Sequence, residues 1–157
     1  MKSESKKIKD ELDKYWSLYV RTRDNKCIMC GKHENEIGKL QAHHWIVSRG
    51  DSLRYKFDVR NGVALCYGCH IHRVHTNPTV DIIKTLYNKA IASGIATEDD
   101  VQEILSRARG VSKIPIGELR EMFKSLKADY NSLPQRRDVR AISPLSRVNE
   151  IISSMDK

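Results

Sequence analysis

C-I-M-C at 27–30, A-H-H-W at 42–45, R-N-G-V-A-L-C-Y-G-C-H at 60–70 and H-R-V-H at 72–75 decide how this chain is read. All four cysteines and all six histidines of the 157 residues lie between positions 27 and 75. Two C-x-x-C pairs, separated by residues 31–65, have the spacing of a four-thiolate zinc site. Each tight knuckle offers two sulfurs, so Cys27, Cys30, Cys66 and Cys69 close a tetrahedral shell. A full thiolate shell has no open position, which makes such a Zn2+ structural. An iron–sulfur cluster or two unrelated thiol pairs are the other uses of this pattern.

Working outward, the formal charge of +8 points to a polyanionic partner. Its distribution says more than its total. Residues 21–75 carry 10 basic and 5 acidic groups, whereas 76–133 carry 8 of each. The excess therefore sits beside the cysteines and histidines. A basic surface kept for solubility is the plainer reading of the same charge. No apolar run approaches the ~18 residues that cross a bilayer, and residues 1–10 have no apolar signal segment. The expectation is a cytoplasmic protein with no membrane partner, in which paired cysteines favour a metal over disulfides.

Taken in order, the chain divides into an N-terminal amphipathic helix (1–24), a zinc-stapled module (25–78), a helical extension (79–133) and a basic, loosely ordered tail (134–157). Ile8, Leu12, Trp16, Tyr19 and Val20 recur near every fourth position and mark one apolar helix face. That face packs on the metal module; base stacking by Trp16 and Tyr19 is the sharper alternative. Residues 31–38 read as a loop and 39–45 as a short strand. Residues 47–60 read as irregular, Asn61-Gly62 as a tight turn, and 62–65 as a second strand. A short helix starts near His70. Asn77-Pro78 reads as a helix start with Asn as N-cap, and Thr97-x-x-Asp100 as a capping box. Helices stop near Gly94 and Gly110, and another runs from about Pro115 to Pro134. A short helix over 146–154 is expected in the tail.

With the cysteines committed to zinc, the histidines need another use. His33 and His72 read as exposed. A single histidine at position 44 would be an ordinary hydrogen-bonded core residue. His43-His44, then Asn61, then His70 is a different matter. H-H-W-I at 43–46, N-G-V-A-L-C at 61–66 and C-H at 69–70, bracketed by the two C-x-x-C pairs, resemble the HNH nucleases of the His-Me (ββα-metal) finger class. Within that class, Y-W-S-L-Y-V-R-T-R-D at 15–24, the C-Y-G-C-H knuckle and H-T-N-P at 75–78 look like the phage NinG (Rap) recombination group.

The resemblance implies an α+β fold: a small ββα-metal finger stapled by the four-cysteine zinc site, flanked by the N-terminal helix and the C-terminal helical extension. It implies a DNA endonuclease that leaves 5′-phosphate and 3′-hydroxyl ends, works on branched recombination intermediates, and acts in the cytoplasm of an infected bacterial host. A junction-cutting enzyme of this kind would be a homodimer. The catalytic pair is implied to be His44, as general base, and Asn61, bracing the loop that carries the base. His43 and His70 are implied to hold the catalytic divalent cation. Neighbours in a regular strand face opposite sides, so the roles of His43 and His44 are exchangeable at this stage.

Phosphodiester hydrolysis calls for these residue types. A neutral imidazole with pKa near ~6.5 suits a base at neutral pH, and one cation touching the phosphate stabilises the charge that develops. Imidazole ligands accept Mg2+ or Mn2+, and also Ni2+ or Zn2+. Arg49, Arg54 and Arg60 lie on the loop over the site as candidate DNA-binding residues, with ordinary surface arginines as the alternative. His75 is read as a DNA phosphate contact, with a further ligand or a helix-end packing residue as alternatives. The rival readings are a zinc-stapled DNA-binding or adaptor module without catalysis, and a phage homing or packaging HNH nuclease.

Overall fold

The computed structural model describes residues 1–109 and 113–134. The expected helix stop at Gly110, the tail beyond Pro134 and its helix over 146–154 lie outside the described residues. The fold is α+β: five α-helices, two single-turn 3-10 helices (Tyr55–Phe57 and Val59–Asn61), a π-helix and one two-stranded antiparallel sheet among the described residues. Helix α1 (Glu4–Asp24) is capped by the Ser3 hydroxyl and ends where Asn25 turns left-handed, φ 56°. Its expected apolar face is present, with Leu12, Trp16 and Val20 buried. A one-turn helix α2 (Glu34–Ile37) occupies the stretch read as a loop. The Glu36 carboxylate accepts from the His33 backbone N–H at 2.9 Å and nucleates it.

Strands β1 (Gln41–His44) and β2 (Gly62–Leu65) pair with Ala42 opposite Ala64 and His44 opposite Gly62. Strand alternation sends Ala42, His44, Gly62 and Ala64 to one face, and Gln41, His43, Val63 and Leu65 to the other. α1 lies on the first face, and Gly62 exists because of it. A Cβ there would meet Val20 Cγ2 at 2.4 Å and Trp16 Cζ2 at 2.7 Å. The Asn61-Gly62 tight turn is thus corrected: Gly62 has φ −116°, ordinary extended backbone, and glycine serves close approach.

The open edge of β2 is covered by side chains and by the backbone of Ile28 in place of a third strand. The Asp24 carboxylate accepts from Ala64 N (2.7 Å), and Arg23 donates to Val59 O (2.7 Å) and Gly62 O (2.6 Å). Burial raises the Asp24 pKa, and the Arg23 guanidinium opposes that shift.

The π-helix Gly68–His75 follows, then α3 (Val80–Ala92), α4 (Glu98–Arg107) and α5 (Ile116–Ser132). The N-cap of α3 is Thr79, not Asn77. Asn77 is occupied elsewhere: its amide donates to His72 O at 3.1 Å and closes the π-helix. The Thr97/Asp100 capping box of α4 is present as expected. α5 runs in the same sense as α1, with Arg120 on Glu4 near its start and Tyr130 on Tyr15 near its end. Its Leu119 and Leu126 share one core with Leu12, Trp16, Val63 and Leu65, whereas Ile104 of α4 and its C-cap Ala108 close a smaller cluster with Val47 and Tyr55. No helix among the described residues is long and apolar enough to cross a membrane.

Candidate active site

The two knuckles meet. The first is a tight turn in which Gly31 N donates to Cys27 O (2.7 Å) and Cys27 N to Lys32 O (2.9 Å), and Gly31 takes the φ of 78° that this turn needs. Ile28 N donates to Ala64 O and docks the turn on β2. The second knuckle runs off the end of β2. The sulfurs of Cys27, Cys30, Cys66 and Cys69 all lie within 4.8 Å of one another and form no disulfide. Four thiolates at about 2.3 Å from a tetrahedral metal stand roughly 3.8 Å apart; Cys30 Sγ and Cys66 Sγ are separated by 3.9 Å. The residues therefore fit a metal ion. Burial pushes the Cys27 and Cys69 thiols up, a penalty that metal coordination removes.

A second cluster forms on the face of the sheet that carries His43. His43, His70 and His75 bring their ring nitrogens within 4.8 Å of one another. The spacing of five between His70 and His75 faces them roughly 140° apart in an α-helix. The wider winding of the π-helix, in which Thr76 N donates to Ile71 O (2.9 Å), aligns them instead. Their Nε2 atoms lie 3.0 Å apart. Gln41 Oε1 stands 2.6 Å from His70 Nδ1. An amide oxygen only accepts, so Nδ1 carries the proton and Nε2 holds the lone pair. Two ring nitrogens this close share either a proton or a cation. Cis ligands at about 2.1 Å from a cation stand roughly 3.0 Å apart, so the pair fits one. Burial first, then the charges of His70 and His75, hold the His43 pKa down at about 3. Burial also lowers His70. Neutral rings are what ligation requires. His75, read from sequence as a phosphate contact, stands with the ligand candidates.

His44 faces the opposite side, as strand alternation demands. Its ring stacks on Trp16, centroids 4.0 Å apart and planes 10° from parallel. His44 Nε2 lies 2.9 Å from Lys56 O. A carbonyl only accepts, so in the neutral ring Nε2 bears the hydrogen and Nδ1 the lone pair. Burial lowers the His44 pKa, and the Lys56 carbonyl partly opposes the shift. Although they face apart, His43 and His44 line one open pocket of about 560 Å³ with Asp13, Trp16, Arg49, His70 and His75. The pocket wraps the end of β1, where an edge strand exposes both sides.

Asn61 is completely buried, and all four of its hydrogen-bonding positions are used. Oδ1 accepts from Ile46 N (2.9 Å) and Val47 N (3.0 Å), and Nδ2 donates to Val47 O (3.0 Å) and Tyr55 O (3.0 Å). It ties down the loop after the histidines, the bracing position that the resemblance implies for it, and has no atom left for a substrate. The three arginines also separate. Arg49 is exposed at the pocket rim, 3.2 Å from Asp13. Arg54 pairs with Glu118 of α5 at 2.6 Å and lines a different groove. Arg60 is held by Asp58 (2.8 Å), Asp100 (2.7 Å) and Glu103 (3.1 Å). Carboxylates of the helical extension thus take two of the three cations expected over the site.

Sequence reasoning missed Gln41, Lys56 and Asp13 as partners of the site. Gln41 was reachable, since it stands two residues before His43 on the same strand face; Lys56 and Asp13 carry no local signal. Compared with known protein families, curated proteins and solved structures, the chain has no match.

Proposed function

We propose that this protein is a metal-dependent DNA endonuclease of the His-Me finger kind, with zinc on the four cysteines and a divalent cation on His43, His70 and His75. One observation carries the reading: three mutually close ring nitrogens and a separate, carbonyl-anchored histidine line a single open pocket. A structural metal site needs no such neighbour. His44 Nδ1 takes the proton of a water as it attacks phosphorus, and the Lys56 carbonyl stabilises the imidazolium that forms. The 3′ oxygen departs and is protonated, leaving 5′-phosphate and 3′-hydroxyl ends. When bound, the cation supplies charge to the scissile phosphate and polarises the departing oxygen. Arg49 at the rim contacts phosphate, and the basic excess of residues 21–75 draws the DNA in. The resemblance to the phage recombination group makes branched DNA the substrate of choice.

The test incubates the protein with supercoiled plasmid, linear duplex and a four-way junction in Mg2+ or Mn2+, beside His44→Ala and a His43→Ala/His70→Ala double variant. Nicking by the native protein alone, with His44→Ala still binding Mn2+, is expected. Equal nicking by His44→Ala, or none by any form on any DNA, sinks the proposal in favour of a zinc-stapled binding module.

A further inference from the structure

One wall of the histidine pocket comes from neither the hairpin nor the π-helix. α1 contributes Asp13, Trp16 and Ser17. Trp16 is tied at both ends of its ring system. The indole N–H donates to Asp58 O at 3.0 Å, and the six-membered ring lies so close over Gly62 that a methyl there would overlap it. A surface fixed in this way gives the stacked His44 ring one plane to occupy. The remaining freedom is rotation within that plane, and the hydrogen bond to Lys56 O removes it. Lys56 is in turn held by α1: its ammonium lies 2.8 Å from the Asp13 carboxylate, which also takes Arg49.

We infer that α1 belongs to the catalytic apparatus, with Trp16 and Asp13 as positioning residues that set the plane and the in-plane rotation of the His44 ring. The inference rests on the nuclease reading for its kinetic consequence, but not for its geometry. Misplacing a base by about 1 Å costs roughly a hundredfold in rate, and loss of the stack removes the surface that fixes the ring plane. The carboxylate also neutralises two cations at the mouth of a pocket that takes a phosphate, so its removal strengthens substrate binding while loosening the base.

The experiment records the ring-proton resonances of His44 in the intact protein by NMR, together with nicking kinetics, for Trp16→Phe, Trp16→Leu and Asp13→Ala. The native stack displaces the His44 ring protons upfield. Trp16→Phe is expected to keep most of that displacement and most of kcat. Trp16→Leu is expected to lose the displacement and about a hundredfold in kcat, with KM unchanged. Asp13→Ala, at a partly buried position outside the apolar core, is expected to lower kcat and KM together, a split that general loosening does not give. Unmoved His44 resonances in folded Trp16→Leu overturn the stack. Resonances that move with kcat unchanged in both Trp16→Leu and Asp13→Ala overturn the positioning role. A native protein that shows the displacement but nicks nothing removes the nuclease reading and leaves the stack standing.

Discussion

Replacing Asn61 with alanine removes four buried hydrogen bonds at once. Each is worth about 1 kcal/mol net, and a buried group left unpaired costs about 1–3 kcal/mol. Four groups of residues 46–55 lose their partner, so the expected loss is about 4 kcal/mol against a total of roughly 5–15 kcal/mol for a domain. Asn61→Asp is the sharper probe because it keeps the shape. One oxygen still accepts from Ile46 N and Val47 N, while the other now faces Val47 O and Tyr55 O, where an amide donated. The ionised form is disfavoured there, so the introduced carboxyl has a folded-state pKa above its unfolded value near ~3.9. A raised acid pKa means a cost that is largest at neutral pH and shrinks as pH falls toward the unfolded value. The assay is urea unfolding followed by tryptophan fluorescence, comparing native and variant proteins at pH 7 and pH 5. A cost under about 1 kcal/mol for Asn61→Ala, or a pH-independent difference for Asn61→Asp, refutes the brace.

The remaining predictions concern packing, protons, metal and charge. Gly62→Ala drives a methyl into Val20 and Trp16 and is expected to cost about 1–3 kcal/mol in thermal unfolding, with partial recovery in a Gly62→Ala/Val20→Ala double variant. His43, held at about 3 when folded, takes up its proton near ~6.5 when unfolded, so its contribution is complete above the unfolded value and is lost as pH falls between the two. In protein to which no Mg2+ or Mn2+ has been added, with the cysteine site left intact, that loss is on the order of 5 kcal/mol at most, and His43→Gln is expected to remove it from the pH dependence of urea unfolding. On the proposed zinc staple, stripping the metal with a strong chelator releases one Zn2+ per chain by dye titration and abolishes cooperative unfolding; an unchanged melt counts against it. Arg49→Ala is expected to weaken DNA binding and flatten its salt dependence, whereas Arg60→Ala, which breaks ties to Asp100 and Glu103, shifts the melting temperature and leaves DNA affinity alone.

Local periodicity was legible and long-range partnership was not. The face of α1, the strand over 62–65 and the capping box at Thr97 each depend on residues within a turn or two of one another, and the structure has them all. Asn61-Gly62 misled because the same dipeptide that opens a hairpin also gives a helix the closest approach to a strand. Asn77 misled for a similar reason: its amide can cap the helix that follows or close the one before, and here it does the second. The His70–His75 pairing depends on a π-helix, and no helical period of 3.6 forecasts it. The fates of Arg54 and Arg60 were set by Glu118, Asp100 and Glu103, 40 or more positions away in sequence.

The cysteine and histidine layers are separable in chemistry but not equally in structure. Cys69 and His70 are consecutive, and His70 N donates to Cys66 O at 2.8 Å, so the knuckle that gathers the thiols also aims the first turn of the π-helix. His43 reaches the same ligand set from the opposite strand, where it pairs with Val63. The position of His70 relative to His43 therefore depends on the cysteine cluster. His44 depends on something else: its plane comes from Trp16 and its rotation from Lys56, both governed by α1. Damage to the cysteines should reach His70 and His43 first, and damage to α1 should reach His44 first. The pocket is thus the meeting of two supports, and a chain that kept the cysteine knuckles while losing the face of α1 would keep His43 and His70 in place and lose the placement of His44.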